Sequence, residues 1–160
     1  MGIVEKIVSG AQTGVDRAAL DVAIELRYPY GGWVPRGRLA EDGTIPDYYE
    51  HLIETPNDEV GIRTEWNIRD SDATMIISFG LLDGGSLYTR VKAEEMGRPW
   101  LHMDLDETGE DEAVRIASEW LVTVRPHILN VAGPRASKDP LIYEKTRRFL
   151  RKLLRIIKTL

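Results

Sequence analysis

Short apolar runs alternate with stretches of helical periodicity along most of this chain, and few folds can accommodate that order. The runs fall at residues 4–9, about 32–34, 73–79, 100–103 and 128–132, with helical patterns between most of them. A strand that passes through a helix before the next strand returns parallel to the first. The repetition therefore predicts an α/β chain with a parallel sheet covered by helices on both faces. Ala73-Thr74-Met75-Ile76-Ile77-Ser78-Phe79 is almost continuously apolar. A strand buried on both faces reads this way, and it is expected at the centre of the sheet.

The helix boundaries carry their own signals. One helix opens near Ser86 and stops at Gly97, with Pro99 barring its continuation. Another opens with a capping box at Thr108-Gly109-Glu110-Asp111 and buries Ala113, Ala117, Trp120, Leu121 and Val124. The last begins at Asp139-Pro140 and buries Phe149, Leu150, Leu153, Leu154 and Ile157.

Composition narrows the function. A chain of 160 residues, 42% of them hydrophobic, forms one domain over residues 1–160. No apolar run approaches the ~20 residues that span a bilayer, and the amino terminus lacks a signal peptide's basic start and apolar stretch. A cytoplasmic protein without membrane association is expected. The lack of cysteine excludes disulfides, zinc–thiolate sites, iron–sulfur clusters and thiol nucleophiles. His51, His102 and His127 are scattered and form no H-E-x-x-H, so no metal site is expected. The net charge is −5, yet residues 141–160 set Lys145, Arg147, Arg148, Arg151, Lys152, Arg155 and Lys158 against Glu144 alone. Such a helix could meet an anionic partner, but cations toward a helix carboxyl end also complement its dipole. The acidic remainder disfavours nucleic acid.

The first apolar run breaks into Ser9-Gly10-Ala11-Gln12-Thr13-Gly14 and then directly into a helix with apolar residues at Val15, Ala18, Ala19, Val22, Ala23 and Leu26. Small residues let backbone approach an anion, and the helix amino end supplies N–H donors and a positive dipole. The plainer reading is a tight strand-to-helix turn with a capping box from Thr13 to Asp16. The motif matches neither G-x-x-x-x-G-K-[ST] nor G-x-G-x-x-G. Glycine-bearing loops also follow the other runs: Pro35-Arg36-Gly37-Arg38, Asp83-Gly84-Gly85-Ser86 and Gly133-Pro134-Arg135. Loops at strand carboxyl ends share one edge of a parallel sheet. Together they predict a cradle for a small phosphorylated ligand. Just before the apolar strand, Arg63-Thr64-Glu65-Trp66-Asn67-Ile68-Arg69-Asp70-Ser71-Asp72 is dense in charge. Trp66 and Asn67 there suggest contact with a ligand or a second subunit, and Asp16 and Glu65 are candidate acid–base groups.

Ser9 through Asp21, Gly31 through Arg38, Arg63 through Asp72, and Asn130-Val131-Ala132-Gly133-Pro134-Arg135 resemble the molybdenum-carrier family over nearly the whole chain. That family is also described as circularly permuted YpsA-like. It belongs with the lysine-decarboxylase-like proteins in the SLOG group of Rossmann-type folds. The resemblance implies a Rossmann-like, doubly wound, mainly parallel sheet. It also implies a homo-oligomer and, as cofactor, the molybdenum cofactor (molybdopterin) or a nucleotide. The ligand is expected among Gly10, Gln12, Thr13, Gly14, Asp16, Arg17, Gly84, Gly85, Ser86 and Thr89, with Arg36 and Arg135 as anion clamps. The hydrolases that resemble this family carry P-G-G-x-G-T-x-x-E. Here Asp83-Gly84-Gly85-Ser86-Leu87-Tyr88-Thr89-Arg90-Val91 lacks the last glycine and the glutamate. A carrier or nucleotide-type anion-binding protein is therefore expected. The alternatives are a hydrolase splitting an N-glycosidic or phosphate bond, with Asp16 or Glu65 as acid or base, and a nucleotide-sensing module.

Overall fold

A computed structural model describes residues 2–160. Its elements run β1 (Lys6–Val8), α1 (Val15–Glu25), β2 (Tyr30–Val34), β3 (Leu39–Ala40), β4 (Gly43–Thr44), β5 (Leu52–Glu54), α2 (Val60–Arg69), β6 (Ala73–Ser78), α3 (Gly84–Glu95), β7 (Trp100–Asp104), α4 (Glu110–Val124), β8 (Ile128–Ala132) and α5 (Ile142–Lys158). Six strands form a parallel sheet in the order β5-β2-β1-β8-β6-β7, and β3 and β4 pair as a small antiparallel hairpin. Helix α5 packs against both α1 and α4 on one face. Helices α2 and α3 contact each other and pack on β2, β6 and β7. The fold is the parallel α/β sheet that the alternation predicts, in the Rossmann-like arrangement that the resemblance implies.

The centre of the sheet differs from expectation. All six residues of β6 are buried, as its apolar run requires, but β6 lies between β8 and the edge strand β7. The central pair is β1 and β8, the first and last strands, joined by Ile7 against Leu129 and Val8 against Asn130. Continuous apolarity reports cover on both faces of a strand. It carries no information about position in the order, and here the carboxyl-terminal strand inserts between β1 and β6. Strands β3, β4 and β5 are two or three residues long and bury none of their residues, so no apolar run marks them.

The largest core cluster sits beneath α1, α4 and α5, where Phe149, Leu150, Leu153, Leu154 and Ile157 are fully buried as the periodicity predicts. The cations of α5 knit helices together. Arg147 and Arg151 pair with Glu25 of α1 at 3.8 and 2.7 Å, and Arg148 and Lys152 pair with Glu110 of α4 at 3.5 and 2.5 Å. Exposed pairs of this kind contribute about 0–1 kcal/mol each, so the apolar face holds the helix and the charges set its register. Neither capping box forms. The residues before α1 and α4 are Gly14 and Gly109, with no side-chain cap, and α4 instead has Glu110, Asp111 and Glu112 in its first turn against the dipole.

Candidate functional site

From β1 the chain turns through α1 toward β2, whereas from β6 it turns through α3 toward β7 on the other side of the sheet. Connections that diverge in this way leave a crevice above the strand carboxyl ends. It is present here as a cleft of about 480 Å³. Asn130, Ala132 and Gly133 at the end of β8 contribute to it. The first glycine loop and α2 also line it, as do the start of α3 and the Arg135–Lys138 segment. Small-molecule sites commonly measure ~300–1,000 Å³.

Close approach of backbone builds the cleft. A side chain at Gly10 would meet the Arg63 side chain at 2.6 Å, so glycine there lets α2 lay its arginine across the loop. The Arg63 guanidinium donates from Nη1 to the Gly10 carbonyl at 2.7 Å. At Gly133 a Cβ would lie 2.3 Å from the Ile77 carbonyl oxygen and 2.6 Å from Val15, so only glycine lets this loop cross the ends of β6 and α1.

Asp16 is the buried carboxyl of the cleft, 7% exposed. Burial raises its pKa from 3.8 to about 6, against the opposing pull of Arg63, the Gln12 N–H and Arg17. Burial also lowers the pKa of Arg63, with Asp16 acting in the other direction. Across the mouth Lys138 pairs with Asp83 at 3.4 Å, beside the α3 amino end at Gly84, Gly85 and Ser86. The first turn of a helix leaves N–H groups without intrahelical acceptors. Anion-binding donors and cationic side chains therefore converge on one opening.

The expected residues divide between cleft and scaffold. Gly10, Gln12, Asp16, Gly84, Gly85, Ser86, Thr89 and Arg135 all line the cleft. Thr13 does not line it: its hydroxyl donates to Glu41 and accepts the Ala136 N–H, tying the first loop to the last. Gly14, at φ 83°, faces the Pro134 carbonyl, which accepts the Val15 N–H at 3.2 Å. Arg17 turns outward to a two-pronged ion pair with Asp42. Arg36 is exposed beyond β2, its N–H bonded to the Asn57 carbonyl. Glu65 accepts from the Tyr88 hydroxyl at 2.9 Å and lies 3.9 Å from Lys92, outside the cleft.

Residues 7–154 match the model of the circularly permutated YpsA SLOG family. The chain belongs to that family. It is 50% identical to a protein of known crystal structure from Syntrophus aciditrophicus SB, provisionally named a molybdenum carrier protein. The match covers 96% of each chain with a TM-score of 0.93. No curated protein matches the sequence.

Within this SLOG chain, sequence reading missed Arg63, Asn130 and Lys138 as cleft residues, while the Gly133 loop lines the cleft as expected. The helical offset from Arg63 to Asn67 held a usable signal, because residues four apart share a helix face. Asn67 is buried and clasps the backbone of Trp33, accepting its N–H at 2.7 Å and donating to its carbonyl at 3.0 Å. The face that carries Asn67 to the sheet brings Arg63 to the strand ends. Asn67 also lines the cleft, as expected of a ligand contact, whereas Trp66 is accounted for within the chain, edge-on to Trp33 at 4.8 Å with Arg69 over its ring. Among the described residues no helix is long and apolar enough to cross a membrane, and no group of acidic residues and histidines could hold a metal ion.

Proposed function

We propose that this SLOG protein binds a small phosphorylated heterocycle, a molybdenum-cofactor-type pterin or a nucleotide, and acts as its carrier. The observation that carries this reading is a single cleft in which the α3 amino end, Arg63, Arg135 and Lys138 meet. Its volume suits one ring system with its phosphate. The Syntrophus relative's name points to a molybdenum-related ligand. Gly84, Gly85 and Ser86 would hold the phosphate with Lys138 beside them, and Arg63 and Asp16 would face the rest of the molecule. A molybdopterin supplies its own dithiolene sulfurs to the metal, which suits a chain without cysteine.

Carrier and hydrolase separate on turnover. Of the two candidate acid–base residues only Asp16 lines the cleft, and Val91 stands where the hydrolase motif has its glutamate. Thermal shift and calorimetry with pyrophosphate, nucleoside monophosphates and molybdopterin test binding. A ligand at a hundred times its dissociation constant stabilises the fold by about 2.7 kcal/mol. Chromatography of the same mixtures should show no released base. Turnover that vanishes in Asp16→Asn would establish the hydrolase instead, and no stabilisation by any of these anions would remove the binding reading.

A further inference from the structure

Asp16 and Arg63 present complementary hydrogen-bonding atoms to the same cleft without satisfying each other. The Asp16 carboxylate takes one hydrogen bond through Oδ2, from the Gln12 N–H at 3.3 Å, and Oδ1 has no partner. Arg63 has five N–H donors available by its chemistry, and the structure engages it only through Nη1 on the Gly10 carbonyl. The free atoms of both groups are not sealed from solvent, and both residues line the cleft. No contact ion pair joins the two, although each sits near enough to shift the other's charge equilibrium. A buried carboxylate on α1 and a half-buried guanidinium on α2 thus line one cleft with no ion pair between them.

Building on the carrier reading above, we infer that Asp16 and Arg63 select the ligand's ring by its lactam edge, Asp16 accepting the ring N–H and Arg63 donating to the adjacent C=O. Guanine, hypoxanthine and pterin rings carry that edge. Adenine presents an unprotonated nitrogen and an amino group in the same places, which would set a lone pair against the carboxylate and an N–H against the guanidinium. A site built around buried polar groups rejects an analogue that leaves them unpaired far more strongly than an apolar pocket rejects a misfit. Helix α2 holds Arg63 in place through Asn67, and the loop from β1 holds Asp16, so the discrimination is fixed before any ligand arrives.

The test is calorimetric titration of the intact protein with GMP, IMP, AMP and inorganic pyrophosphate. GMP and IMP are expected to bind about tenfold or more tightly than AMP, since loss of a hydrogen bond to a charged group costs that much. IMP separates the lactam from the 2-amino group. In Asp16→Ala and in Arg63→Met the ratio of GMP to AMP affinity should collapse toward one. Circular dichroism would identify a variant that fails to fold, and the comparison on the unaltered protein then decides alone. Equal affinity for the three nucleotides, a preference for AMP, or a ratio unchanged in both folded variants would overturn the inference. So would binding of pyrophosphate with no nucleotide bound more tightly. Failure of pyrophosphate and every nucleotide to bind would instead overturn the carrier reading on which it rests.

Discussion

Asparagine in place of Asp16 is expected to stabilise the fold at neutral and alkaline pH, an unusual outcome for removing a charge from a site. Asp16 is 7% exposed, and burial lifts its pKa from 3.8 to about 6. Between those values the folded protein keeps a proton that the unfolded chain has lost. Stability therefore falls as pH rises through that window, and the loss is complete above the folded value. A shift of this size corresponds to about 3 kcal/mol against the fold at pH 8 and about 1 kcal/mol at pH 4.5. Asparagine never ionises, keeps an oxygen for the Gln12 N–H, and escapes this penalty. The attraction of Arg63 for the ionised carboxylate is already contained in that net shift, so its loss in the variant takes nothing further from the gain. Urea unfolding of both proteins at pH 8 and pH 4.5 should give a stability difference that favours the variant by up to about 2 kcal/mol more at the higher pH. An equal difference at the two pH values would refute the reasoning, because Asp16 would then titrate alike in folded and unfolded chains.

Gly14→Val should destabilise the protein by about 2 kcal/mol or more, since the residue sits at φ 83° and a Cβ would lie 2.4 Å from the Pro134 carbonyl oxygen. An unchanged denaturation midpoint would show that the first and last loops are not packed as described. Asn67→Ala strips two hydrogen bonds from the Trp33 backbone and should cost about 2–3 kcal/mol by urea unfolding. Phe149→Ala, at a fully buried position beneath α5, should cost about 3–5 kcal/mol, and a loss under 1 kcal/mol would mean that the helix is held by its ion pairs. Self-association is expected by resemblance, and closed two-fold symmetry is its usual form. A sedimentation mass of 18.1 kDa at micromolar concentration would refute it.

The alternation of apolar runs and helical stretches fixed the α/β class, the strands β1, β2, β6, β7 and β8 and the buried face of α5, because periodicity is a local consequence of which side faces the core. Glycine-rich loops after β1, β6 and β8 were legible as a shared edge for the same reason, since strand direction in a parallel sheet is implied by the connections. Strand order was not legible. Nothing in the residues of β8 states that it inserts between β1 and β6, a matter of long-range packing decided by α4 and α5. The same limit divided the arginines. Arg17, Arg36, Arg63 and Arg135 all stand in loop or helix segments of similar polarity, and only their partners separate them. Asp42 draws Arg17 away, Arg36 stays on an exposed turn, and the Asn67 clasp delivers Arg63 to the cleft. Sequence supplies the donors and the bends. Which of them meet, and how far burial moves a carboxyl such as Asp16 from its ordinary chemistry, depends on contacts between residues as distant as Gly10 and Arg63 or Gly14 and Pro134, and these exist only once the chain has closed.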